Sequence, residues 1–147
     1  KKEGSPVQTF PGGQAMDSDE LVGIKCDIWI PAARPDVLTE NNVDQLKAKL
    51  VIHGANIPAT ETAEQLMHER GILNIPDFIA NAGGVICAAV EFGGGSESQV
   101  MDTIEEKIRT NTLESLERSK KENLSPREAG VKMAFSRIEK AMTDHDT

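Results

Sequence analysis

The chain has 147 residues, 38% hydrophobic and 27% charged, a balance that suits one soluble globular domain rather than a disordered chain. A formal net charge of −8 argues against a nucleic-acid partner, which relies on clustered Lys and Arg; the one compact basic cluster, Arg118, Lys120 and Lys121, is flanked by Glu117 and Glu122. No apolar run reaches the length of a membrane span or forms a secretory h-region, so the expected compartment is the cytoplasm.

Four Phe, one Trp and no Tyr leave an aliphatic core as the only option. Cys26 and Cys87 lie far apart inside apolar runs, where buried free thiols are the ordinary reading.

Residues 1–13 hold Pro6, Pro11, Gly12 and Gly13 with no apolar period, which predicts irregular chain or a tight turn. Residues 26–31 (CDIWIP) read as a strand, and residues 39–48 as a helix with Thr39 as its cap. Residues 50–53 form a second apolar run. Thr60 can cap a helix that runs through Leu66 and Met67 and stops at Gly71. Residues 72–75 are a third strand, ended by Pro76.

Strands alternating with helices at this spacing predict parallel β-α-β units with helices on both faces of the sheet. Near-continuous apolar strands are what burial on both faces requires.

Gly93, Gly94 and Gly95 break the pattern. Val100, Ile104, Ile108 and Leu116 then mark the apolar face of a long amphipathic helix. Ser125-Pro126-Arg127-Glu128 is a capping box with Pro at the first helical position. The last helix places Val131, Phe135, Ile138 and Met142 on one stripe, which must cover the sheet or a neighbouring domain. Residues 144–147 are expected to fray. The expected division is therefore 1–92, half a nucleotide-binding sheet, and 93–147, a helical segment packed on it or on a substrate domain.

Three segments follow strand C-terminal ends, where open parallel sheets bind ligands. After CDIWI come Pro31, Ala32 and Ala33, small enough for close approach of a flat ligand or simply a strand exit. After KLVI come Gly54, Ala55 and Asn56, where Asn56 offers a carboxamide at the rim or occupies a left-handed turn. After the third strand comes Pro76-Asp77-Phe78-Ile79-Ala80-Asn81-Ala82-Gly83-Gly84. Here Asn81 either caps the following helix or bonds a cofactor carboxamide.

No G-x-G-x-x-G occurs. His53 and His68, the latter with Glu64 one turn earlier, read as packed or solvated residues, and no metal site is indicated. Nothing in the spacing joins Cys26, Asp27 and His53 into a nucleophile and base.

In this order CDIWIPAA, KAKLVIHGAN-x-P-x-T and GI-x-x-IPDFIANAGGV resemble the glutamate, leucine, phenylalanine and valine dehydrogenase superfamily, and the glutamate enzymes most, over residues 20–142. The resemblance implies an α/β fold, a three-layer partial Rossmann domain with half of a parallel sheet, followed by C-terminal helices. It implies NAD or NADP as cofactor, an amino acid as substrate and a homo-oligomeric enzyme. By likeness Ala32 and Ala33 line the adenosine-to-nicotinamide track. Asn56 reaches the nicotinamide ribose region or substrate, Asn81 the nicotinamide carboxamide, and Val85 and Ala88 face the substrate side chain.

Three departures stand out. Ile57 replaces the second glycine of the usual GANGP, His53 stands where Glu often precedes GAN, and Ala88 replaces the usual Ser of the glutamate type. Leucine-type enzymes carry an apolar residue at the last position.

The family's catalytic Lys and Asp and its glycine-rich fingerprint fall, by resemblance, before Lys1, so no catalytic residue is assigned here. The chain is thus expected to be a dehydrogenase fragment, inactive alone and weak in dinucleotide binding, its parent deaminating L-glutamate to 2-oxoglutarate. The alternatives are a fragment of a leucine or valine dehydrogenase, and a non-enzymatic binding or scaffold module on the same half-fold. The residues that discriminate NAD from NADP also fall upstream.

Overall fold

The structure, a computed structural model, describes residues 9–145. The irregular chain expected over 1–8 and the fraying expected at 146–147 lie outside the described residues. Gly12, at φ +83, makes the expected tight turn, with the Gly13 N–H donating to Phe10 O at 3.0 Å.

Three short strands, β1 (Ile28–Trp29), β2 (Leu50–Ile52) and β3 (Leu73–Ile75), form a parallel sheet in the order β1-β2-β3. Among the described residues five α-helices accompany it: α1 (Glu61–Glu69), α2 (Asp77–Ala80), α3 (Gly83–Phe92), α4 (Glu97–Glu122) and α5 (Pro126–His145). Strand alternation gives each face its own core. Val51 joins Leu38, Ala63 and Met67, all fully buried, under α1. Leu50 and Ile52 point the other way, towards Ile79, Leu116 of α4 and Met133 of α5. Each fully buried aliphatic side chain of this kind contributes roughly 1.5–3 kcal/mol. Helices lie on both faces, but the second is only partly covered, since Ile28 of β1 and Leu73 of β3, in register with Leu50, stay 53% and 42% exposed.

The helix ends follow the sequence closely. Thr60 Oγ1 accepts from the Ala63 N–H at 3.2 Å, and Gly71 takes φ +71 just beyond α1. The Ser125–Glu128 box is closed, with Glu128 Oε2 accepting from the Ser125 N–H at 2.9 Å and Ser125 Oγ accepting from the Glu128 N–H at 3.3 Å. Ser96 and Gln99 form a second box at the start of α4.

Four expectations are corrected. No α-helix spans 39–48; only a 3-10 turn, Val43–Gln45, forms there. The turn stops at Leu46, whose backbone is extended at ψ 125, while the Asn42 side chain braces its start: Oδ1 accepts from the Thr39 N–H and Nδ2 donates to Val37 O, both at 2.9 Å. Arg70 then ties this turn to α1 through the Val43 and Leu46 carbonyls. The strand expected over 26–31 shrinks to Ile28–Trp29, and both cysteines are free and half-buried rather than buried.

The last correction concerns α5, which stays helical through Asp144 and His145. Its stripe of Val131, Phe135, Ile138 and Met142 faces away from the sheet, exposed by 40%, 60%, 56% and 65%. The small residues Ala129 and Gly130 face inward with Met133. A Cβ at Gly130 would meet the Phe78 ring at 2.9 Å, so only glycine lets α5 settle this close to α2.

Candidate functional site

Parallel strands bring their C-terminal ends to one edge, and the three segments singled out above meet there. Ala32 and Ala33, both exposed, follow β1. A Cβ at Gly54 would sit 3.0 Å from the Ala32 Cβ, so glycine allows the loops after β1 and β2 to touch. Ala32 and Ala33 also line a cavity of about 290 Å³, together with Leu21, Trp29 and Arg34.

The loops after β2 and β3 meet through side chains. Asn81 Nδ2 donates to Asn56 Oδ1 at 2.7 Å. Asn81 is not the cap of α3, whose cap position is Ala82 and makes no side-chain bond; it ends α2 instead. Nor does Asn56 take the left-handed turn. That conformation falls on the next residue, Ile57, at φ +48.

From this rim α3 rises with no buried residue, although its sequence GGVICAAVEF is apolar. Val85 is 70% exposed and Ala88 is exposed beside it. An apolar helix offered to solvent beside the carboxamides of exposed Asn56 and half-buried Asn81 is a surface suited to a partly apolar, hydrogen-bonding ligand.

Behind the rim lies a charged network that the sequence reading did not find. Arg127, in the first turn of α5, donates Nε to Glu64 Oε2 at 2.6 Å and Nη2 to Glu64 Oε1 at 2.7 Å. Nη2 also donates to Asp77 Oδ1 at 2.8 Å, and the other Asp77 oxygen accepts from the Ile57 N–H at 2.8 Å. The guanidinium lies 5.4 Å from the Phe78 ring centroid. Both carboxylates are buried. Burial alone pushes the Asp77 carboxyl up; the Ile57 amide and Arg127 outweigh it and hold the group below its ordinary range. The Glu64 hydrogen bonds in turn push Arg127 upward against its own burial.

His53 closes the network from inside, fully buried with Nδ1 3.6 Å from Glu64 Oε1, too far for a hydrogen bond. Burial first, and the Arg127 charge second, lower its pKa to about 4. Two signals in the sequence pointed here: a carboxylate placed directly after a strand and its Pro, at Asp77, and an arginine inside a capping box, at Arg127.

Fold and rim together define a Rossmann-type parallel α/β unit. The profile of the Glutamate/Leucine/Phenylalanine/Valine dehydrogenase family matches residues 1–146, and the chain belongs to that family. It is 32% identical to a glutamate dehydrogenase of Aeropyrum pernix over 97% of this chain and 36% of that protein. It is 34% identical to an NADP-specific glutamate dehydrogenase of Saccharolobus shibatae over 92% of this chain and 34% of that protein. The fold matches L-tryptophan dehydrogenase from Nostoc punctiforme with a TM-score of 0.82 at 23% identity, covering 95% of this chain and 44% of that one. The chain thus spans about a third of the length of the curated relatives it matches. Among the described residues, no helix is long and apolar enough to cross a membrane.

Proposed function

We propose that this chain supplies the nicotinamide-facing rim of a cytoplasmic NAD- or NADP-dependent amino-acid dehydrogenase that deaminates L-glutamate to 2-oxoglutarate. The single observation that carries the reading is the Asn81–Asn56 hydrogen bond at the C-terminal edge of the sheet, beside the bare apolar face of α3. When bound, the dinucleotide supplies the hydride chemistry. The residues of this chain bind and orient. Asn81 and Asn56 offer carboxamide donors and acceptors to the nicotinamide amide and ribose region. Ala32 and Ala33 let the ligand approach the sheet edge, while Val85 and Ala88 border the substrate.

Residues 1–92 belong, in this reading, to the dinucleotide-binding unit, and 93–147 to a helical segment packed upon it. The packing of α5 on β3 and the glycine break at Gly94, φ +80, support that division. The exposed stripe on α5 supports work within a homo-oligomer, which sedimentation of the enzyme tests.

The experiment takes the longest natural reading frame that contains the chain. With glutamate, Asn81→Ala should lower kcat/KM roughly tenfold, the loss of one hydrogen bond of about 1.4 kcal/mol. Unchanged kinetics would remove Asn81 from the site. The 147-residue chain alone should show no NAD(P)-dependent deamination.

A second reading has its own observation. Ala88 carries no hydroxyl, and Val85, Ile86 and Ala89 around it are apolar, a wall that suits leucine or valine. Higher kcat/KM with either would displace glutamate.

A further inference from the structure

Asp77 stands at a joint between the two asparagines. Its side chain accepts from the Ile57 N–H, the residue after Asn56, and its carbonyl accepts from the Asn81 N–H, both at 2.8 Å. The turn at Asn56–Ile57 needs such a hold. Ile57 is β-branched and sits at φ +48, a conformation that only glycine adopts freely. Its carbonyl is held as well, accepting from the Asp36 N–H at 3.0 Å. One carboxylate oxygen of Asp77 is thus committed to the strained turn. The other is committed to Arg127, at 2.8 Å.

Arg127 cannot swing away from this task, because Glu64 grips its Nε and Nη2 together. That fork is bidentate and planar, a geometry that a lysine ammonium does not offer. The guanidinium is set at the start of α5, where the Ser125–Glu128 box fixes the first turn. A continuous line of bonds therefore runs from α1 and α5, through Asp77, to the rim.

We propose that Arg127 is a positioning residue that acts through Asp77 and the Ile57 amide to set the Asn56–Asn81 pair for the cofactor. This rests on the reading of that pair as the nicotinamide contact.

The test uses the 147-residue chain, ¹⁵N-labelled, and compares wild type with Arg127→Met and Arg127→Lys. Native-state chemical shifts report local geometry whatever happens to global stability. In Arg127→Met the Ile57 amide proton should move upfield as its carboxylate acceptor is released, and the side-chain amide peaks of Asn56 and Asn81 should move with it. Val51 and Met67, in the core under α1, should keep their positions. Arg127→Lys, which keeps the charge but loses the fork, should fall between the two. Should Arg127→Met not fold, Arg127→Lys decides alone by the same shifts. Unmoved Ile57, Asn56 and Asn81 peaks in a folded variant overturn the proposal.

Reduced nicotinamide mononucleotide, titrated at millimolar concentration, separates the two layers. Wild type should show shifts at Asn56 and Asn81, with apparent affinity falling roughly fivefold to tenfold in Arg127→Met. Peaks in wild type that ignore the mononucleotide overturn the cofactor reading and the purpose assigned to Arg127, while the amide shifts still judge the bond line. Equal affinity in the two proteins leaves the cofactor reading intact and overturns the positioning role.

Discussion

The amide of Ile57 donates to the carboxylate of Asp77 across twenty residues of sequence, at 2.8 Å, while Ile57 itself holds a left-handed backbone at φ +48. Strain and its restraint are built into the same peptide unit. The relation also explains what an isoleucine does where the resembled motif carries glycine. A backbone shape that suits glycine is held with an isoleucine in place, and Asp77 behind the loop offsets the strain.

Ile57→Gly should therefore stabilise the chain. A left-handed conformation costs an ordinary residue roughly 1–2 kcal/mol, and glycine returns roughly 0.5–1 kcal/mol of that as chain entropy. Ile57 is 60% exposed, so little burial is lost. A net gain of about 0.5–1 kcal/mol in urea unfolding is expected. Ile57→Ala keeps a Cβ and should gain much less; an equal gain would show that β-branching, not handedness, is the burden.

The sheet and the rim were legible in the sequence for one reason: strands of a parallel sheet read as apolar runs, and their ends are punctuated by Pro31, Gly54 and Pro76. The rest was written in contacts between distant residues. Arg70 looks like a solvated helix end until its guanidinium is seen to hold the Val43 and Leu46 carbonyls. The apolar stripe of α5 points outward because Ala129 and Gly130 allow a closer approach than Phe135 would, a matter of fit that periodicity does not encode. Glu64, Asp77 and Arg127 lie on three separate elements, and no local pattern joins them.

Acid should weaken the fold before ordinary carboxylates titrate, and His53 sets the window. Its folded pKa lies near 4 against 6.5 in the open chain, so the fold holds it neutral. Stability is whole above about pH 6.5, falls as the unfolded chain takes up the proton, and levels off below about pH 4. Between pH 7 and pH 5 the loss should be roughly 2 kcal/mol in urea unfolding. Asp77, held below its usual 3.8, adds its own loss only at still lower pH. His53→Gln should flatten the upper window; an unchanged slope in that variant would assign the effect to another group.

Cutting the network at its cation should cost more than any surface pair. Arg127→Met leaves Glu64 and Asp77, 6% and 8% exposed, without the charge that both were bonded to. Removing one partner of a buried pair typically costs 3–5 kcal/mol, and the 28% exposure of the Arg127 side chain places this case at the lower end, about 3 kcal/mol. The penalty lies in the stranded carboxylates rather than in the lost bonds. Hence Glu64→Gln and Asp77→Asn, added to Arg127→Met, should recover at least half of it. The neutral side chains bury at lower cost, and the carboxamide introduced by Asp77→Asn still offers an oxygen to the Ile57 amide. Urea unfolding of the single and triple variants measures both quantities. A loss below about 1 kcal/mol for Arg127→Met would mean that water screens the network as it does a surface pair. A triple variant no more stable than the single one would place the energy in the hydrogen bonds themselves.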